Sequence, residues 1–109
     1  MFAYALLKAY NKGYVGEKYR KAGVKAYEGI IKNFIRVNSD TTISLTNCCA
    51  VAGLGPGVSE AVKKAAPNVK ENKRRDGSYE YYLSEPVRDN DAKGVGPFIW
   101  ASLEFEKLK

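Results

Sequence analysis

Positions 17 to about 37, EKYRKAGVKAYEGIIKNFIRV, space apolar and charged residues so that a helix sorts them onto two faces. Tyr19, Ala22, Gly23, Ala26, Tyr27, Ile30, Ile31 and Phe34 fall on one side, and Lys18, Lys21, Lys25, Glu28, Lys32 and Arg36 on the other. A helix patterned this way needs something to lie against. Ala22, Gly23, Ala26 and Gly29 are small enough for a second helix to approach closely. Gly29 costs about 1 kcal/mol relative to alanine in a helix interior, so a packing reason for it is expected.

Positions 1–14, MFAYALLKAYNKGY, supply a candidate partner. Ala3, Leu7, Tyr10 and Tyr14 share a stripe with Phe2 and Leu6, while Lys8, Asn11 and Lys12 lie opposite. Gly13 stands where a C-terminal cap belongs. The first seven residues are all apolar, the pattern of a helix buried on every side. No capping residue precedes Met1, so the helix reads as though a segment ahead of it were missing.

The rest of the chain is richer in turns. Asn38 to Asp40 form a turn, and Thr42 to Leu45 a short β-prone run. Gly53, Gly55, Pro56 and Gly57 make a flexible stretch without the spacing or the Lys-Ser/Thr of a phosphate loop. Positions 59–66 suit a two-turn helix with Ser59 as N-cap and Pro67 as stop. Positions 74–100 read RRDGSYEYYLSEPVRDNDAKGVGPFIW. Asp76-Gly77 favours a tight turn. SYEYYL has a partial strand pattern, and EPVRDNDAKGVG reads as loop. Pro97 suits the first turn of a final helix running to about Lys107, with Phe98, Ile99, Trp100, Leu103 and Phe105 available for burial. The fold class is therefore all-α: three main helices, long loops, and at most a short β-prone run.

With 109 residues the chain has room for one ordinary domain. Its net charge is +6, but the positive residues are interleaved with acids, which argues against nucleic acid as a partner. No apolar run approaches the length of a bilayer span, so no membrane partner is expected. The opening segment lacks the basic n-region and small-residue cleavage site of a signal peptide, leaving a cytoplasmic or a periplasmic chain. Histidine is absent, which removes Ser-His and Cys-His catalysis. Cys48 and Cys49 are adjacent; a disulfide between neighbours is strained, so two free, small, buried thiols are expected. No metal site and no cofactor are read from these residues.

MFAYALLKAYNKGY, KAYEGIIKNFI, CCAVAGLG and RDGSYEYYLSEPVRDNDAKGVGPFIWASLE together resemble the C-terminal end of the unsaturated uronyl hydrolases, glycoside hydrolase families 88 and 105. RDGSYEYY and NDAKGVGPF are specific in combination. The resemblance covers nearly the whole chain as one helical domain, except 56–73, which looks like an insertion. It implies part of an (α/α)6 barrel, six helical hairpins around a central pocket, of which this chain matches the last quarter to third.

The implied chemistry is hydration of an enol ether. An aspartate protonates the C4=C5 double bond of an unsaturated uronic acid, water adds at C5, and the hemiketal opens to release the neighbouring sugar. By the resemblance, that aspartate belongs to the N-terminal half, so no catalytic residue is carried over to this chain. The pocket rim is carried over. Arg75 could pair with a uronate carboxylate, whose geometry fits a guanidinium fork. Asp76 and Ser78 shape the same loop, and Tyr79 or Tyr82 could stack on a sugar face. Structural roles for all five stay open: a salt bridge for Arg75, a turn for Asp76 and Ser78, interhelical packing for the tyrosines. Three readings compete: a piece of such a hydrolase, inactive alone; a non-catalytic helical scaffold or carbohydrate-binding module; and an enzyme using Asp76 with Arg75. A part-barrel leaves apolar faces uncovered, so a homo-oligomer is expected, pairing first helices about a two-fold axis.

Overall fold

The computed structural model describes residues 1–55, 64 and 75–109. These fall into two compact units, Met1–Cys48 with Val87–Lys109, and Cys49–Pro86. Apart from position 64, the segment read as an insertion, 56–73, and the two-turn helix at 59–66 lie outside the described residues.

The larger unit begins with helix α1 (Phe2–Asn11) and helix α2 (Glu17–Phe34). Gly13 stops α1 as expected: its φ is +74°, its N–H donates to the Tyr10 carbonyl at 2.8 Å, and the Tyr14 N–H donates to that of Ala9 at 2.9 Å. Only a residue tolerant of the left-handed region closes both bonds. Helix α1 is not buried on all sides. Ala3 and Leu7 are buried, whereas Met1 and Phe2 are 80% and 87% exposed. Tyr14 lies beyond the helix and is also exposed.

The close approach between α1 and α2 occurs at Gly23. A Cβ there would sit 3.0 Å from Leu7 Cδ2 and 3.2 Å from Leu6 Cβ. Gly29, for which a packing reason was expected, has nothing within 4 Å of its would-be Cβ. Its carbonyl accepts a bond from Asn33 Nδ2 at 2.8 Å instead.

Helix α2 ends three residues earlier than its periodicity suggests. Strand β1 (Ile35–Val37) takes over and pairs antiparallel with β2 (Ile43–Leu45), in the register Ile35↔Leu45, Arg36↔Ser44, Val37↔Ile43. The apolar pattern continues through Ile35 and Val37, but both are β-branched and a partner strand lies six residues on. The turn between them places Thr41 at φ +68°, with Asp40 Oδ1 accepting from Thr42 N and Oγ1 at 3.1 and 2.6 Å. The Thr42 hydroxyl, then the Thr42 amide, hold the Asp40 carboxyl below its ordinary range. Two further short strands are β3 (Cys48–Cys49) and β4 (Val87–Arg88).

Helix α3 (Tyr79–Ser84) occupies the stretch read as a partial strand, and α4 (Ala92–Glu106) closes the chain. Helix α4 begins five residues before Pro97, within the stretch read as loop. Asp91 is its N-cap, with Oδ1 accepting from Lys93 N at 2.9 Å, and Pro97 sits inside the helix. The Lys93 ammonium and amide, followed by the nearby Arg88, lower the Asp91 pKa.

The core of this unit lies among α1, α2 and α4. Tyr27 stacks between Phe98 and Phe105, with ring centroids 5.9 and 4.5 Å away, and its hydroxyl donates to Ser102 Oγ at 3.0 Å. Asn11 Nδ2 bonds both the carbonyl and the carboxylate of Glu104 at 2.9 Å, and Lys107 reaches the same carboxylate. These partners, Asn11 first, lower the Glu104 pKa and allow a carboxylate only 7% exposed. Gly94 lets α4 meet β3: a Cβ there would lie 2.6 Å from Cys48 Sγ.

Candidate functional site

The residues singled out in the sequence gather in the smaller unit, around the start of α3. Gly55 and Arg75 form an isolated antiparallel bridge, exchanging N–H···O bonds of 3.0 and 3.1 Å. The chain then turns through Asp76, whose Oδ1 accepts the Ser78 N–H at 2.9 Å, and Gly77, whose φ is +77°. Ser78 Oγ accepts the Tyr81 N–H at 3.1 Å and caps α3. This local hydrogen bonding directs SYEYYL into a helix despite the β preference of three tyrosines in four residues.

Helical geometry splits the tyrosines. Tyr81 turns inward and is 5% exposed. Its hydroxyl accepts the Gly53 N–H at 3.3 Å and donates to Glu85 Oε1 at 2.5 Å. Arg75 Nε donates to the same oxygen at 3.0 Å. Glu85 therefore receives a phenol and a guanidinium on one oxygen. The Tyr81 hydroxyl first, and Arg75 second, hold its carboxyl below the ordinary range. Burial, with Glu85 second, pushes the Tyr81 phenol up, and the bond to Glu85 raises Arg75 further. Tyr79 and Tyr82, three residues apart, share the outer side of α3 with Leu83 and are all more than half exposed.

The structure thus brings Arg75, Asp76 and Ser78 into one turn, with Tyr79 and Tyr82 on the helix that the turn starts. Asp76 and Ser78 shape the backbone. Tyr81 and Glu85, which sequence reasoning passed over, anchor Arg75. Glu85 lies four residues beyond Tyr81, a helical spacing that would have paired them had the stretch been read as a helix.

Two other features carry less chemistry. In the larger unit a groove of ≈ 240 Å³ lies among Ala3, Ile30, Phe34, Leu45, Phe98 and Ala101, with Cys48 at its side. No charged side chain lines it; Thr46, Asn47 and Cys48 are the polar side chains at its wall. Cys48 and Cys49 are both free thiols, and they are half-buried rather than buried. Their Sγ atoms approach the carbonyls of Leu45 and Val51, at 3.8 and 3.2 Å. Among the described residues no three His, Cys, Asp or Glu side chains converge to hold a metal ion, and no helix is long and apolar enough to cross a membrane.

The family model described as Glycosyl Hydrolase Family 88 matches residues 1–109. The chain belongs to this family. It is 40% identical to a glycoside hydrolase from family 105 of Clostridium acetobutylicum whose structure is solved; the two superpose with a TM-score of 0.75 over 96% of this chain and 25% of that one. Protein Atu3128 of Agrobacterium fabrum and the 24.9 kDa protein in the picA locus of Rhizobium radiobacter are each 36% identical over 108 residues. The chain spans 41% of the length of these curated relatives. Among its described residues the family 88 chain is helical, with only short strands beside the helices.

Proposed function

We propose that this family 88 chain is the C-terminal portion of an unsaturated uronyl hydrolase, acting on oligosaccharides released from pectin or glycosaminoglycans, and inactive alone. Residues 1–109 then form the closing hairpins of an (α/α)6 barrel, with 56–73 as an insertion. The observation that carries the reading is the family match along the whole chain, together with 40% identity to a family 105 hydrolase. In this reading the turn at Arg75, Asp76 and Ser78 and helix α3 form part of the pocket rim. Tyr79 and Tyr82 present their rings on the exposed side of α3, as a sugar-stacking platform requires. Arg75 keeps a multi-donor guanidinium beyond the Nε used on Glu85, and Glu85 and Tyr81 orient it. The proton donor for C4=C5 comes from outside this chain. On its own the chain self-associates as a two-fold dimer that pairs the first helices of two copies, through the exposed Phe2 and not through Leu7, which is buried within the chain.

One specific observation favours the reading as a helical scaffold: Arg75 already has a carboxylate partner in Glu85. Titration with an unsaturated uronyl disaccharide separates the two. The rim reading expects the ring resonances of Tyr79 and Tyr82 to shift, with no decay of the ultraviolet absorbance of the C4=C5 bond. Unmoved tyrosines favour the scaffold. Decay that disappears in Asp76→Asn makes this chain an enzyme in its own right.

A further inference from the structure

Helix α2 carries charge that nothing around it neutralises. In the larger unit Lys8, Lys93, Lys107 and Lys109 reach Tyr4, Asp91, Glu104 and Glu106 respectively. Lys18, Lys21, Lys25 and Lys32 are exposed and make no hydrogen bond or ion pair among the described residues. At 3.6 residues per turn these four lie within about 60° of the circumference of α2. Acids interleave with them in sequence but not on the helix surface. Glu17 is held by Arg20 at 3.0 Å, and Glu28 stands at the edge of the row. Lys21 and Lys25 are four residues apart, a like-charge spacing that disfavours the helix unless an outside anion offsets it.

The gaps in the row are as regular as its charges. Lys18, Ala22, Lys25, Gly29 and Lys32 are stepped alternately by four and three residues, so they follow one line along the helix. Each lysine alternates with a residue that has almost no side chain. Ala22 is exposed, and a Cβ on Gly29 would meet nothing within 4 Å. Glycine weakens a helix interior, and no packing contact accounts for it here. As an open shelf between Lys25 and Lys32 it has a use. Over about 21 Å of helix the row presents cations separated by such shelves. That suits a linear chain of rings bearing regularly spaced anions. Nucleic acid suits it less, because the row holds no arginine and no aromatic ring for a base to stack on. The exposed Tyr19 points about 100° away from Lys18. No large apolar side chain stands among the lysines to enter a membrane surface. We propose that this row is a surface binding site for a linear polyuronate. The ammonium groups take its carboxylates, and Ala22 and Gly29 take its sugar rings. The choice of a polyuronate rests on the reading of the chain as a portion of a uronyl hydrolase. The row belongs to the larger unit and uses none of Arg75, Tyr79 or Tyr82.

Titration of the full 109-residue chain with a saturated oligogalacturonate long enough to span the row tests the site. Amide resonances and calorimetry follow the binding. The expected result is shifts concentrated between Lys18 and Lys32, with an affinity that falls several-fold from low to physiological salt. A Lys25→Gln, Lys32→Gln double variant is expected to bind several-fold more weakly. Lys109→Gln, which removes a charge from the chain's end, is expected to bind as the wild type does. Gly29→Gln changes no charge and favours the helix, yet fills the gap between Lys25 and Lys32. It is expected to weaken binding several-fold while keeping the helical circular dichroism. An affinity that follows net charge alone, falling in Lys109→Gln and holding in Gly29→Gln, overturns the proposal. So does the absence of shifts on α2. Tighter binding of a single-stranded oligonucleotide of equal charge overturns it too, by making nucleic acid the occupant. The pocket rim is read separately, at Tyr79 and Tyr82, with an unsaturated uronyl disaccharide too short to span the row. Shifts on α2 without tyrosine shifts uphold the row and sink the rim; the reverse sinks the row alone.

Discussion

Gly94→Ala should destabilise the larger unit, and Cys48→Ala should abolish that cost. Two effects of opposite sign meet at this position. Alanine in place of glycine in a helix gains about 1 kcal/mol of propensity. The new methyl group, however, would stand 2.6 Å from Cys48 Sγ, far inside the distance at which carbon and sulfur touch. The next nearest atoms, Cys48 Cβ at 3.4 Å and Leu45 Cδ2 at 3.5 Å, are at ordinary separations. The clash is thus with one atom. Forcing an extra methyl into a filled site costs about 1–3 kcal/mol, so the net loss for Gly94→Ala should be about 0–2 kcal/mol. With Cys48 already alanine the clashing atom is gone, and Gly94→Ala should be neutral or stabilising by up to about 1 kcal/mol. The coupling in a double-mutant cycle should therefore be about 1–3 kcal/mol, well above the few tenths expected of independent sites. Chemical denaturation of the wild type, the two single variants and the double variant measures it. Additive effects would show that the Cys48 thiol simply swings aside and that Gly94 is not what lets α4 approach β3.

Glu85 has a lowered pKa in the folded chain, so it contributes stability that is present above the ordinary carboxylate range and lost as pH falls through the folded value. Acid titration followed at the Tyr81 ring resonances should show the smaller unit loosening below the ordinary glutamate pKa, and Glu85→Gln should flatten that transition. Tyr81 is displaced upward, so its contribution is present below the ordinary phenol value and lost as pH rises through the folded one; absorbance titration of the wild type against Tyr81→Phe should show the missing ionisation above the ordinary phenol range. Gly13→Ala should lower the melting temperature through a loss of about 1–2 kcal/mol, because alanine must adopt φ +74° to keep the two capping bonds. Ser78→Ala should cost about 1 kcal/mol in the smaller unit and raise amide exchange at Tyr81, whose N–H loses its acceptor.

The parts of the fold legible in the sequence were those where one local rule acted alone. Gly13 marked the end of α1, and the 3.6-residue period set out most of α2. Thr42 to Leu45 announced a strand, and β2 lies there. Where two rules competed, the pattern misled. Ile35 and Val37 extended the apolar period of α2 while preferring a strand, and a partner three-residue strand decided the matter. Three tyrosines suggested β structure at 79–82, but the Asp76 turn and the Ser78 cap favoured a helix. Asp91 was concealed as a cap because Gly94, Gly96 and Pro97 follow it, all poor helix formers. The site suffered from the same error. Without a helix at α3, nothing separated the buried Tyr81 from the exposed Tyr79 and Tyr82, and nothing brought Glu85 to Arg75. The small face of α2 was read correctly as a place of close approach, but of its two glycines Gly23 meets a neighbour and Gly29 does not. Which of several small residues another helix lies against is a property of its crossing point, which periodicity does not encode.

The two-bond bridge between Gly55 and Arg75 has a consequence for how the chain tolerates change in length. It holds Gly55 and Arg75 beside one another, so a change in chain length between these two residues would begin and end at a clamped neck. Closing a longer loop at such a neck is cheap, about 0.6 kcal/mol for each doubling of its length. Epitopes, reporters or whole small domains inserted there should therefore leave Arg75, its turn and α3 in register, making this neck the natural port for engineering the chain.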